Sequence, residues 1–142
     1  MAIDDYNNTI SSNVSKSKVY SDLNLGLPIH PIKKDITPLR DIDAVKQSVK
    51  NLVLTNFFER PFHAEIGGNV AGKLFENADV FTAVAIRDEI KSVIETYEPR
   101  VNQVVIEVYD NLDNNSYLVN IGFNIIYLQQ NTEISFNLQR LR

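Results

Sequence analysis

The sequence contains no cysteine and no tryptophan, and only two of its 142 residues are histidines. Without cysteine the chain can form neither a disulfide nor a zinc ribbon, and it has no thiol nucleophile. No segment reaches the roughly 18–20 consecutive apolar residues that a membrane-spanning helix needs. The acidic, polar start of the chain, residues 1–6, predicts that no secretory signal is present.

Positive charge is also in short supply. The 14 Lys and Arg residues stand against 18 Asp and Glu residues, so the net charge is -4 and the pI is about 5.1. Nucleic acids and anionic membranes bind clustered basic surfaces, so we expect neither as a partner. Hydrophobic residues make up 44% and charged residues 23%, which is typical of a globular domain and excludes wholesale disorder. The expected partners are other proteins.

The composition divides the chain into a tail, an arm and a regular region. Residues 1–18 are rich in Ser, Asn and Lys and hold too few apolar residues to offset the entropy of ordering, which predicts a flexible tail. Residues 19–40 contain three prolines beside several leucines and isoleucines. Because proline excludes a helix there, we predict an extended apolar arm that lies on its own domain or on a neighbour. Residues 19–142 then form one domain, with a helical part over 41–99 and a sheet over 100–142.

Two amphipathic helices are predicted in the middle of the chain. Apolar residues recur at helical spacing over 41–54, with Asp41 as the N-cap. A short helical turn is expected over 70–75, and a second long helix starts near Asp79 and stops at Pro99. The predicted apolar face of that second helix comprises Phe81, Val84, Ile86, Ile90, Val93, Ile94 and Tyr97.

After the second helix the apolar residues alternate, which is typical of strands. Three strands are predicted near 104–109, 117–127 and 132–138, with turns at 110–116 and 129–131. Short loops make these strands an antiparallel meander with the helices on one face. The predicted fold is therefore α+β: a small antiparallel sheet of about three to four strands, packed by two main helices.

Few side chains are spaced for catalysis or for metal binding. His30 and His63 have no further ligand type at metal-binding spacing, and residues 67–73 lack the spacing of a phosphate-binding loop. Glycoside hydrolysis needs two carboxylates facing a cleft, one of them with a raised pKa. The candidates near aromatics or turns are Glu59, Glu65, Glu76 and Glu98. We expect no cofactor, no metal and no enzymatic activity.

Two short clusters combine opposite charges with a proline. They are Glu59-Arg60-Pro61-Phe62 and Glu98-Pro99-Arg100. Arginine can pair with a carboxylate through two parallel hydrogen bonds, and proline restricts the direction of the chain. Each cluster can therefore either organise a corner of its own domain or bind a partner chain, and the sequence leaves both interpretations open.

The last strand is poorly protected against pairing with another chain. Its single carboxylate is Glu133, and it has neither proline nor lysine. Either the edge is covered within the chain, or it accepts a strand from another protein. In the second case Ile134, Phe136 and Leu138 are the expected partner-binding residues.

Several segments follow one another in a recognisable order. They are Tyr20–Leu23, Asp43–Leu52, Glu59–Phe62, Glu65–Gly67, Leu74–Asn77, Ile94–Val101 and the strand pair that ends the chain. Together they resemble the gene-25-like, or lysozyme-like, family of baseplate wedge proteins of contractile-tailed bacteriophages. That family includes the sheath-initiating baseplate subunit of type VI secretion systems. The resemblance spans residues 19–142 and is strongest to the forms of marine and cyanobacterial phages.

The resemblance implies a structural subunit of the virion's tail baseplate, assembled in the host cytoplasm. It implies that Glu98, Pro99 and Arg100 grip the core bundle of the larger wedge proteins. It also implies that the strands near 117–127 and 132–138 mimic a sheath subunit, so that their edge pairs with extended sheath arms. The expected partners are the tail sheath protein, the wedge core-bundle proteins and central hub or tube-proximal proteins.

Two other functions remain open at this point. One is a small peptidoglycan hydrolase, as the family's lysozyme-like label suggests, and the other is an adaptor for a regulatory partner. A turbidity assay on purified cell wall separates the hydrolase from a structural subunit, with Glu98→Gln and Glu65→Gln as diagnostic variants. Co-purification with sheath protein distinguishes a structural subunit from an adaptor for a regulatory partner.

Overall fold

The structure is a computed structural model, which describes residues 20–76, 79–111 and 116–139. Its elements are β1 (Ser21–Asp22), β2 (Leu39–Arg40), α1 (Asp41–Leu54), α2 (Val70–Lys73), α3 (Val80–Tyr97), β3 (Val101–Asn111), β4 (Ser116–Ile125) and β5 (Gln130–Gln139). The order of helices and antiparallel strands confirms the α+β class. The expected tail over 1–18 lies outside the described residues. Within those ranges no helix is both long enough and apolar enough to cross a bilayer.

The main sheet is an antiparallel meander in the order β3-β4-β5. Ile121 at its centre is paired with Ile106 on β3 and with Ile134 on β5, so apolar side chains of all three strands share one face. On β4 the residues of that face are fully or almost fully buried: Tyr117, Val119, Ile121, Phe123 and Ile125. The strict alternation along β4 therefore fixes the register, since a slip of one residue would turn this set to solvent.

The two long helices cover the apolar face of the sheet. α3 packs along β3, and α1 packs against α3 and reaches β5. Their buried residues lie at helical spacing and include Val45, Val49, Val53, Ile86, Ile90 and Ile94. The core thus lies between the helices and the sheet, while Val105 and Tyr109 on the opposite face of β3 are more than half exposed.

The bounds of both long helices agree with the sequence, but one predicted cap is wrong. Asp79 caps α3, where its side chain accepts a hydrogen bond from the Thr82 backbone at 2.7 Å. Asp41 does not cap α1, because the N-cap position is Arg40 and Asp41 is the first helical residue. The side chain of Asp41 instead accepts a hydrogen bond from the Tyr20 backbone at 3.3 Å, which ties the start of the helix to the arm. The short helix α2 is also two residues shorter than predicted.

The buried face of α3 is narrower than the predicted apolar face, because two of the predicted residues are exposed. Phe81 is 84% exposed and Val84 is 40% exposed, whereas Ile86, Ile90 and Ile94 are fully buried. At about 100° per residue, positions 81 and 84 lie on the side of the helix opposite Ile86. They belong to the first turns of α3 and face away from the sheet.

The arm is not a single extended segment, as the sequence suggested, but folds back on itself. β1 pairs antiparallel with β2, and Ile29 forms an antiparallel bridge with Ile36. The reversal between these residues is closed by hydrogen bonds such as His30 N to Asp35 O, at 2.8 Å. The apolar side chains near the tip do not lie on this domain, since those of Leu23, Leu25, Leu27, Ile29 and Ile32 are all more than half exposed.

The turn before β5 begins earlier than predicted. β4 ends at Ile125 and β5 starts at Gln130, so the turn comprises residues 126–129. The Ile126 N–H donates to Arg100 O at 3.1 Å, and the Gln129 N–H donates to Ile125 O at 2.8 Å. The first bond extends the pairing with the chain that enters β3, and the second closes the turn, which takes Tyr127 out of the strand although its apolar side chain continues the alternation of β4.

Candidate partner-binding interface

The Glu98-Pro99-Arg100 cluster forms the corner between α3 and β3. Glu98 ends the helix with only 3% of its surface exposed. Arg100 Nε donates to Glu98 Oε1 at 2.5 Å, and its Nη2 donates to Oε2 at 2.6 Å. The hydroxyl of Ser48 on α1 donates to the same Oε2 at 2.6 Å. One carboxylate therefore connects α1, the end of α3 and the start of β3.

The hydrogen bonds keep this buried carboxyl ionised. Burial by itself would raise the pKa of Glu98, but the hydrogen bonds from Arg100 and Ser48 outweigh it and hold that pKa below its usual value. The hydrogen bond to Glu98 likewise raises the pKa of Arg100. Both groups are charged at neutral pH, and the Arg100 guanidinium offsets the charge of Glu98 at the C-terminal end of α3, where a bare carboxylate is unfavourable.

The arm also contacts this corner. The Arg100 guanidinium lies 5.3 Å from the centre of the Tyr20 ring, within the range of a cation–π contact. The Tyr20 ring in turn meets Tyr127 edge-on, with ring centres 6.0 Å apart. Arg100 keeps 27% of its side chain exposed, and Pro99 is exposed beside it. The pair thus organises the corner within the chain, and its outer surface remains available for the predicted partner role.

The second cluster lies on a loop between α1 and α2. Glu59 accepts a hydrogen bond from the Asn56 backbone at 2.8 Å, so its carboxylate closes a local turn. The side chain of Arg60 next to it is exposed. The structure does not bring this cluster together with Glu98 in a shared ion pair, because the bonds of Glu98 go to Arg100 and Ser48.

Two exposed aromatic residues lie on the same loop: Phe62, which belongs to the predicted charged cluster, and Phe58, which precedes it and was not predicted. Phe58 is 86% exposed and Phe62 is fully exposed, and both have positive φ values, 65° and 68°. Bulky residues rarely adopt this conformation, which costs about 1–3 kcal/mol. The loop is held in place where Gly67, with φ 132°, approaches Thr55 so closely that a Cβ would lie 2.6 Å from its carbonyl oxygen. The sequence feature that could have indicated the exposure of the two phenylalanines is the charged, proline-containing segment between them, Glu59-Arg60-Pro61.

The third predicted site, strand β5, lies at the edge of the main sheet. Over the described ranges β5 pairs with β4 alone, so its other side has no strand neighbour. In an antiparallel strand, alternate residues direct their N–H and C=O groups to opposite sides, so half of these groups point away from β4. Ile134 and Phe136 are half-buried, whereas Leu138 is 5% exposed and can meet a partner only through its backbone.

A groove of about 330 Å³ runs between this edge and the first helix. Its walls are Leu39 from β2, Asp43, Lys46, Gln47 and Lys50 from α1, and Ile134, Ser135 and Phe136 from β5. A larger open depression lies on the outer face of the sheet, over Gly122. The groove differs from it because its floor is the core-facing side of an edge strand.

Two of the carboxylates considered for hydrolysis, Glu65 and Glu98, have lowered pKa values. The pKa of Glu65 is lowered, first by a backbone hydrogen bond and then by His63, whose Nδ1 lies 3.2 Å from its Oε1. The pKa of Glu98 is lowered as well, whereas a general acid needs a raised one. In the described part of the chain, no group of three or more His, Asp or Glu side chains could hold a metal ion.

Comparison with known proteins gives a consistent match. Residues 40–133, about two thirds of the chain, match the family described as baseplate wedge protein gp25. The baseplate wedge protein gp25 of Enterobacteria phage T4 is 29% identical over 110 residues, which cover 78% of this chain and 83% of the phage protein.

Solved structures share the fold at lower identity. A candidate tail lysozyme of Geobacter sulfurreducens is 15% identical with a TM-score of 0.64, covering 69% of this chain and 89% of that protein. A chain of the anti-feeding prophage baseplate is 17% identical with a TM-score of 0.55, covering 87% and 88% of the two chains. A chain of the type VI secretion baseplate complex is 13% identical with a TM-score of 0.53, covering 68% and 92%.

Replacing Arg100 should show how strongly the corner holds the fold. Arg100→Met leaves the Glu98 carboxylate buried without its main partner, so we expect a loss of about 3–5 kcal/mol in the free energy of unfolding, measured by urea denaturation. The matched control is Arg87→Met, because Arg87 pairs with Asp88 at 2.9 Å on an exposed surface. That change should cost less than about 1 kcal/mol. Equal effects of the two changes would contradict a buried, structural pair.

The same pair should make stability depend on pH in the acid range. Because the folded-state pKa of Glu98 lies below its ordinary value of 4.5, the charged pair contributes fully above pH 4.5. That contribution is lost as the pH falls from 4.5 through the lower folded value. We expect the stability difference between the wild type and Glu98→Gln to shrink over this range, measured by urea denaturation at stepped pH. A stability difference that stays constant as the pH falls well below 4.5 would contradict a charged Glu98 in the folded protein.

Proposed function

The chain belongs to the baseplate wedge protein gp25 family, and on that premise we propose that it is a structural wedge subunit that starts the tail sheath. It does so by offering the free edge of β5 to sheath subunits. The observation that carries this proposal is a strand of ten residues with a neighbour on one side only, over the residues that the structure describes. Its place of action is the baseplate of the virion tail, after assembly in the host cytoplasm.

The geometry of the edge supports strand addition as the mode of binding. The backbone groups that point away from β4 supply hydrogen bonds to an extended arm, and these set its register. Ile134 and Phe136 face the core side and are only half-buried, so an added strand would complete their burial. The edge lacks the usual protection against pairing, because Glu133 is its only charged residue within 130–139.

The Glu98-Pro99-Arg100 corner and the loop that carries Phe58 and Phe62 support a second contact, with the wedge core bundle. The ion pair fixes Glu98 and Arg100, so Pro99 and the exposed part of Arg100 present a rigid surface. Glu59 stabilises a loop turn that holds Arg60 exposed between two solvent-facing phenylalanines. Exposed aromatic and arginine side chains are the residue types that dominate binding energy at protein interfaces. Central hub or tube-proximal proteins are the further neighbours that this position implies.

A hydrolase function has less support from the site. The likeness to a candidate tail lysozyme is at 15% identity and concerns the fold. In this chain the Glu98 carboxylate is almost fully buried and accepts hydrogen bonds from Arg100 and Ser48, whereas a glycosidase acid faces a cleft that the substrate enters. The structural role therefore accounts better for the same residues.

Proline substitution at two neighbouring positions tests the role of the edge. Consecutive residues direct their N–H groups to opposite sides of β5, so only one of Ile134→Pro and Ser135→Pro removes a hydrogen bond to β4. We expect that variant to unfold by circular dichroism and the other to stay folded. The folded variant should enter baseplates that then carry no sheath by electron microscopy.

Alanine at the position of the folded proline variant is the matched control, because it keeps the N–H group. It should give particles with sheaths of normal length. Normal sheaths on particles that contain the folded proline variant would contradict the templating role.

A further inference from the structure

The groove between α1 and β5 is positively charged although the chain as a whole is acidic. Lys46 is half-buried and Lys50 is exposed, and Asp43 is the one carboxylate among the groove's lining residues. Ion pairs within the described ranges join four other pairs of side chains and include neither lysine. The lining thus carries a net charge of +1 in a chain of net charge -4.

The floor of the groove is apolar and incomplete. Phe136 and Ile134 are in register with the buried Val119 and Ile121 of β4, yet both are only half-buried. The reason is that no strand follows β5 in the described sheet to cover their outer side. A strand added to this edge would place every second side chain against these two residues and beneath the lysines of α1.

We propose that the groove selects an extended segment of another protein whose inward side chains are apolar opposite Phe136 and Ile134 and acidic opposite Lys46 and Lys50. The inference rests on the proposed function, because the segment enters as the strand that β5 lacks. The two lysines are one helical turn apart, at about 6 Å between their Cβ atoms. Alternate residues of a strand are separated by about 6.4–6.8 Å. An acidic residue at every second position of the segment therefore matches both lysines.

A second copy of this chain fits the groove less well. The core-facing residues of its own β5 are uncharged, and Glu133, its only carboxylate, is on the outer face. Edge-to-edge pairing of two copies would bring two sets of α1 lysines close together, which is unfavourable. An acidic segment from a different protein neutralises the lysines instead.

Three labelled peptides test the inference on the full-length protein: TVTVTETET, TVTVTQTQT and TVTVTKTKT. They differ only at two alternate positions that would face α1. In fluorescence anisotropy at low ionic strength, we expect the glutamate peptide to bind about tenfold more tightly than the lysine peptide, with the glutamine peptide between them. The difference should shrink at high ionic strength because salt screens exposed charges.

Charge reversal in the protein identifies the residues responsible. Lys46→Glu combined with Lys50→Glu should reverse the order of the peptides. The matched control is Lys33→Glu combined with Lys34→Glu, two exposed lysines at the tip of the arm, which should leave the order unchanged.

Equal binding of the three peptides, or binding of none, would overturn the inference. An order of affinities that stays the same after Lys46→Glu combined with Lys50→Glu would overturn it as well. So would tighter binding of all three peptides after removal of residues 1–18, which would make the chain's own tail the occupant. Dimerisation that the peptides displace would assign the groove to a second copy and would also overturn it. Because these readouts use the isolated protein, they can fail while the folded proline variant still abolishes the sheath, and the reverse also holds.

Discussion

The structure depends on one constraint: a strand inside a sheet needs a hydrogen-bonding neighbour on each side. β4 has β3 and β5, and it carries the most completely buried apolar residues of the sheet. β5 has β4 alone among the described strands, and its side chains are accordingly buried on one side only. A ten-residue edge with few charges is a liability for a free protein, but it is an asset for a subunit that must extend its sheet into a neighbour.

The buried ion pair at the end of α3 helps to fix the position of α1, the helix beside that edge. Glu98 binds Arg100 at the start of β3 and Ser48 on α1, so the carboxylate connects the sheet to the helix that borders β5. This connection explains why the groove beside the edge has a defined wall. It also shows that the two interpretations of the charged cluster are compatible, because a pair that organises the corner can present Pro99 and part of Arg100 to the wedge.

Local periodicity predicted the parts of the fold that depend on local spacing. The alternation over 117–125 gave the central strand, and the apolar spacing over 41–54 gave the first helix with its observed bounds. Contacts distant in sequence were missed: Ser48 and Glu98 are 50 residues apart, and no spacing rule connects them. The reversal of the arm was missed because the prolines indicate an extended backbone but do not show that one half of the arm pairs with the other. The outward position of Phe58 was missed because a phenylalanine is usually buried, and its exposure depends on a loop held by a distant glycine contact.

Residue-resolved amide hydrogen exchange across 130–139 tests the central claim most directly. In the isolated protein, we expect amides at alternate positions of β5 to exchange rapidly, because they point away from β4, while the intervening amides are protected by it. Addition of the tail sheath protein should then protect the fast set. Protection of every β5 amide in the isolated protein would show that the edge is already covered by the chain itself, and it would contradict the account.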